Sequence, residues 1–211
     1  MSGSNSMIRA ALILLLLSSC GNLPITYIQN FSSVNSVVFG FPDQEITQEL
    51  YDEYEYSFIK VRFGRGPISI MILAYVDDGV YQWSGVDDVT LYTLNGRVIK
   101  TTGLQTDFEI PDPKPRSHGE AGTIYESINL FSPNLYHATL KTSLSQSPKS
   151  IVRFGSRVDA VRAHEKASIP IINWKQSNYY FRSLGSDLVE KTEQHIHPRL
   201  PVLHIEFYYK F

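Results

Sequence analysis

Residues 80–104 read VYQWSGVDDVTLYTLNGRVIKTTGL. Asn95-Gly96 stands near the centre, between two runs rich in β-branched and aromatic residues. That dipeptide supplies the two positive φ angles of a type I′ turn, whose twist matches a two-residue hairpin. Residues 89–94 are therefore predicted to pair antiparallel with residues 97–102. Gly103 can then close the second strand with a bend. The stretch specifies a chain built from hairpins.

The flanking sequence continues the pattern. Residues 57–63 alternate, with Phe58, Lys60 and Arg62 on one face and Ile59, Val61 and Phe63 on the other. Residues 68–76 (ISIMILAYV) are nearly all apolar, which predicts a strand buried on both faces. Turns are predicted at 64–67 and at Asp77-Asp78-Gly79. Earlier, Pro42-Asp43 opens a helical signal, and a short helix is expected over 44–53 with Asp43 as its cap. Later, residues 107–123 carry three prolines and two glycines and read as the longest loop. Strands follow at 127–130, 136–143, 150–154 and 158–165, with a turn at 145–149. Further strands are expected at 169–175, 179–182, 187–192 and 202–211, with a turn at 183–186. Many short strands with one N-terminal helix predict a mainly β fold. We expect an antiparallel meander forming a barrel-like sheet, because closure removes exposed edges.

The chain has 211 residues, 43% hydrophobic and 19% charged, enough to bury a core. Its net charge of −2 gives no electrostatic reason to expect a nucleic acid partner. The first residues differ from the rest. Arg9 is followed by an unbroken apolar run at 10–17, then Ser18, Ser19 and Cys20. Eight apolar residues are too few to span a bilayer, which takes about 20. They suit the apolar region of a signal peptide. Leu17-Ser18-Ser19-Cys20 resembles a bacterial lipobox, which implies a diacylglycerol on the Cys20 sulfur, an acyl group on the new amino terminus and a stable membrane anchor. Met7 is the expected start. Gly21, rather than an aspartate, follows the cysteine; by lipoprotein sorting rules this favours the outer membrane. Three segments result: a lipoprotein signal peptide at 1–19, a lipidated tether at 20–41, and a single β-rich domain at 42–211.

Candidate chemistry is sparse. Glu193, His195 and His197 would share one strand face, with His204 as a fourth metal ligand; the same residues also read as a polar strand or loop before Pro198. Asp77-Asp78 and Asp87-Asp88 offer carboxylate pairs for glycoside hydrolysis, but both fall where turns are expected. No P-loop, dinucleotide fingerprint or nucleophile elbow is present, and we expect neither a cofactor nor a metal. Trp83, Trp174, Tyr179, Tyr180 and Phe181 offer a surface for stacking on sugars, or else core packing. Lys60, Arg62 and Arg65 offer a basic strip for an acidic polymer, or else a solvated strand face.

Several runs together resemble one family, the YjbF/GfcB-type group 4 capsule polysaccharide lipoproteins. They are PDQEIT at 42–47, VRFGRGPISIMILAYV at 61–76, Trp83 and LYTLNGRVIKTTGL at 91–104. NWKQSNYYF at 173–181, Gln194, Pro198 and the closing HIEFYYKF add to them, as does the lipobox. Phe181 stands where the family shows a second tryptophan. The resemblance implies a periplasm-facing barrel-like domain tethered to the outer membrane by Cys20. It implies a non-enzymatic role in export or assembly of capsule or exopolysaccharide. Partners would be polysaccharide export proteins, or the polysaccharide itself; the resemblance fixes no ligand site, and Trp83, Trp174, Tyr179 and Tyr180 remain the candidate contacts read from the residues themselves. The resemblance carries no catalytic residue. A glycan-modifying envelope enzyme and a general envelope scaffold are the alternatives.

Overall fold

The computed structural model describes residues 45–86, 88–115 and 122–211. The chain enters this region at a short helix, α1 (Gln48–Glu53). Thr47 caps it, its hydroxyl accepting from the Leu50 N–H at 3.3 Å. The helix is shorter than expected, and Asp43 lies outside the described residues. Ile46, Leu50, Tyr51 and Tyr54 pack against Phe58 and Tyr208. The Tyr54 and Phe58 ring centroids are 4.2 Å apart, and Phe58 stacks on Tyr208 at 4.7 Å.

The strands are β1 (Phe58–Phe63), β2 (Ile68–Asp77), β3 (Val80–Ser84), β4 (Thr90–Leu94), β5 (Arg97–Thr102) and β6 (Phe108–Glu109). Then come β7 (Gly122–Leu130), β8 (Leu135–Arg153), β9 (Ser156–Ile169), β10 (Trp174–Ser183), β11 (Lys191–Gln194) and β12 (Leu203–Tyr208). Each pairs with its neighbours in sequence, and β12 returns antiparallel to β1, so the sheet is a closed up-and-down barrel. The aromatic cluster under α1 lies on the outer face of this closing seam.

The Asn95-Gly96 hairpin forms as predicted. Leu94 pairs with Arg97, and Asn95 and Gly96 have φ of 51° and 76°. The extra residue at Ile99, opposite the Tyr92–Thr93 step, is a β-bulge. Gly103 bends the chain at φ 87°, where a Cβ would meet the Asp88 carbonyl at 2.7 Å.

Other expectations need correction. Residues 68–76 are not buried on both faces: Met71 is buried, but Tyr75 is 62% exposed and Val76 46%. A barrel strand has one inner face, so an apolar run leaves its alternate residues outside. Residues 145–149 form no turn but continue β8, pairing Ser145 with His164 through Lys149 with Ala160. Beyond Leu144 that strand has β9 on one side only, so Pro148 sits at an edge, where its missing N–H is tolerated. Residues 169–175 are not one continuous strand either: Ile169 ends β9 and Trp174 opens β10. Pro170–Ile172 form a 3₁₀ turn, and Asn173 at φ 52° redirects the chain into β10. β11 occupies only the end of the expected 187–192 strand, running on to Gln194. The 107–123 loop contains β6, where buried Phe108 anchors it to the core.

The core lies inside the barrel. Ile59, Val61, Leu91, Leu203, Ile205 and Phe207 surround Trp83, whose indole N–H donates to the Thr93 hydroxyl at 2.9 Å. Apolar residues point inward and lysines of β8–β10 point outward, the reverse of a membrane-spanning barrel. Among the described residues no helix is long and apolar enough to cross a membrane.

β5 and β11 lie on opposite sides of the strand ring, yet they touch. Gln194 donates to the Gly96 carbonyl at 2.8 Å and accepts from the Val98 N–H at 3.0 Å. Gly96 also lies against Val189; a Cβ there would come within 2.6 Å of it. Gly96→Ala therefore combines a clash with a disfavoured φ and should cost about 1–3 kcal/mol. Urea unfolding would show a lower midpoint; an unchanged midpoint would show that the hairpin tip does not press on Val189.

Candidate functional site

The interior next to the hairpin is polar. Arg97, the first residue after the turn, is buried between β7 and β9. Its Nη1 lies 2.9 Å from the Glu126 carboxylate, and its Nε lies 3.9 Å from that of Glu165. Tyr180 donates its hydroxyl to Glu165 at 2.8 Å, and the Lys114 N–H donates to Glu126 at 3.0 Å. Burial works against the Arg97 charge, but Glu165, Tyr180 and Glu126 outweigh it and raise the guanidinium pKa above its ordinary value. Two cavities of about 10 and 20 Å³ adjoin this network. Each has room for about one water, not a sugar ring.

The larger concavity is outside. A groove of about 580 Å³ runs over the outer face of β8, β9 and β10. Register sets its floor. Lys141, Ser168 and Lys175 stand side by side across the three strands, and Ser143, Lys166 and Ser177 form the next row. Ala167, Gln176, Tyr179 and His195 complete the lining, which contains no carboxylate. Sequence reading missed these lysines, because the register that joins them is non-local.

The residues singled out from sequence are dispersed. Trp83 is fully buried, and Tyr180 is 3% exposed with its hydroxyl on Glu165. Trp174 is half-buried beside the inner cavity of about 20 Å³. Tyr179 faces outward, stacked on His164 at 4.9 Å with the Arg162 guanidinium 5.4 Å from its ring. Phe181 packs outside against Ile151 and Ala160. Strand alternation thus puts Tyr179 and Tyr180 on opposite faces, and the aromatic set forms no single sugar-stacking surface. The basic strip also dissolves: Lys60 pairs with Glu206 at 2.8 Å, and Arg62 donates to the Gly66 carbonyl at 3.2 Å.

Asp78 and Asp88 sit in turns at φ 46° and 58°, while Asp87 and Cys20 lie outside the described residues. Glu193 ends opposite His204, but His195 and His197 lie past the end of β11. Among the described residues no three His, Cys, Asp or Glu side chains are placed to hold a metal ion.

The family model described as "Group 4 capsule polysaccharide lipoprotein gfcB, YjbF" matches residues 31–208. The chain belongs to this family. The lipoprotein YjbF of Escherichia coli (strain K12) is 33% identical over 201 residues, covering 90% of this chain and 92% of that one. The crystal structure of the Escherichia coli (K12) lipoprotein YmcC superposes with a TM-score of 0.68 over 90% of this chain and 98% of that one. Its sequence is 16% identical, so this likeness shows the fold. Members are capsule-related, membrane-anchored envelope lipoproteins. The resemblance read from the NGR-containing hairpin and the closing strand is therefore confirmed at the level of the family.

Two predictions follow from this geometry. Arg97→Ala leaves Glu126 and Glu165 buried without their cation and should cost about 3–5 kcal/mol in denaturant unfolding; a loss under about 1 kcal/mol would mean that the network is not coupled to folding. The second concerns acid. His164, His195 and His197 all have lowered pKa values, chiefly through burial, with Lys166 and Arg162, His204, and Arg199 adding to the effect in turn. Each binds a proton less well folded than unfolded, so the unfolded chain gains protons first as pH falls below about 6.5. The melting temperature should therefore drop between about pH 7.5 and about pH 5.5. A flat or rising profile would contradict the lowered pKa values of these rings.

Proposed function

We propose that this protein is a non-enzymatic accessory lipoprotein that assists export or assembly of capsule or exopolysaccharide. Lipid on Cys20 holds it to the outer membrane, and its barrel faces the periplasm. It works by binding, through the outer face of β8–β10, either the polymer or a protein of the export apparatus. The observation that carries this reading is the groove of about 580 Å³ with its uncompensated lysines, on a chain of the capsule lipoprotein family. The interior supports it too. Glu126 and Glu165, paired about Arg97, adjoin cavities too small for a sugar.

The test is genetic and biochemical. Cys20→Ala, replacing the native copy in a capsule-producing cell, should release the protein from the membrane fraction and lower surface polysaccharide. Protein that stays in the membrane after a high-salt wash would rule out the lipid anchor. Surface polysaccharide that is unchanged when the whole protein is deleted would rule out the export role.

A further inference from the structure

We infer that the β8–β10 groove binds an acidic polysaccharide chain and recognises the carboxylates spaced along it. This rests on the proposed export role and commits its binding site to the polymer rather than to a protein. Several basic side chains elsewhere on the barrel meet acids: Lys60 and Lys191 with Glu206, Lys100 with Glu109, Arg153 with Glu190, Arg182 with Asp187. Lys141, Lys166 and Lys175 are exposed and have no carboxylate partner among the described residues. Three adjacent cations repel one another in the free protein, and an anionic ligand relieves that repulsion.

Spacing favours a polymer over a small anion. Strands lie about 4.8 Å apart, so the Cα atoms of Lys141 and Lys175, two strands apart, are separated by about 10 Å. Lys166 lies one row along, about 7 Å further down the strands. Charges distributed over this area match acidic groups repeated along a chain. Two rows further, Arg162 continues the basic line past His164 and Tyr179. Between the cations, Ser143, Ser168 and Ser177 offer hydrogen bonds suited to sugar hydroxyls. A groove of about 580 Å³ is large enough for a short run of sugar units. The rival occupant is an anionic lipid surface, since Ile171 is 73% exposed in the neighbouring turn. The concave floor and its hydroxyl-matching side chains favour the glycan.

The test uses the full-length lipidated protein held in phosphatidylcholine nanodiscs without free detergent, titrated calorimetrically with oligogalacturonate as a model polyuronate. Neutral dextran of similar length and phosphatidylglycerol vesicles serve as the other arms. The account expects oligogalacturonate to bind, dextran not to, and added salt to weaken the binding. Lys141→Gln, Lys166→Gln and Lys175→Gln together should weaken it by about tenfold or more, with the melting temperature unchanged. Lys149→Gln, outside the groove, should bind as wild type. No oligogalacturonate binding, equal dextran binding, or a triple variant that binds like wild type overturns the inference. Vesicle binding that depends on the three lysines, with no oligogalacturonate binding, assigns the groove to lipid instead. If deletion of the protein lowers surface capsule but oligogalacturonate does not bind, this inference fails and the export role stands. If deletion leaves capsule unchanged, the export role itself fails.

Discussion

The guanidinium of Arg97, held between Glu126 and Glu165, and the amide of Gln194, bonded to the backbone at Gly96 and Val98, tie one wall of the barrel to the other. About eight strands enclose a lumen that side chains can just fill, and this barrel has twelve among the described residues. Its lumen is filled because the β4–β5 tip crosses to β11. The turn sets this up: Asn95-Gly96 reverses the chain without a bulky side chain at the tip, and Val189 closes over Gly96. The bulge at Ile99 shifts the ladder beside Val98, whose N–H Gln194 takes up. Buried ion pairs are weak evidence for net stability, but breaking one is costly. Their effect here is to fix where the hairpin lies.

A sealed interior moves the chemistry outside. With Trp83 and Tyr180 committed to the core and Glu126 and Glu165 to Arg97, the inner side chains have structural duties. Solvent meets the outer strand faces, and among these β8–β10 combine concavity with unbalanced charge. The long β8–β9 hairpin makes that face. Its tip is held by Arg153, which donates to the Phe207 carbonyl at 2.7 Å and lies 4.3 Å from the Tyr208 ring centroid. The groove is therefore carried on paired strands rather than on a loose loop.

Much of the fold was legible where the signal was local. Asn95-Gly96 gave its hairpin, Asp77-Asp78-Gly79 its turn, and the alternation of 58–63 its inward and outward faces. Errors arose where tertiary context decides. Pro148 reads as a breaker, but it sits at an edge that costs no ladder bond. The apolar run 68–76 reads as doubly buried, but half of it faces outward, with Ile70 and Ile72 beside the aromatics under α1. The groove was not legible because Lys141, Lys166 and Lys175 meet only through the pairing of three strands, and no local pattern encodes that register. Aromatic residues drew attention as sugar platforms, yet Trp83 and Tyr180 are the side chains that a barrel of this width needs inside.

The central claim is that the interior is closed structure and the outer face of β8–β10 is the working surface. Mapping amide chemical shifts while titrating the protein with oligogalacturonate tests it most directly. The account predicts shifts concentrated at residues 141–143, 166–168 and 175–179, with Gly96, Arg97 and Glu126 unmoved. Shifts centred on Arg97 and Glu126, with the lysine rows unmoved, would contradict it.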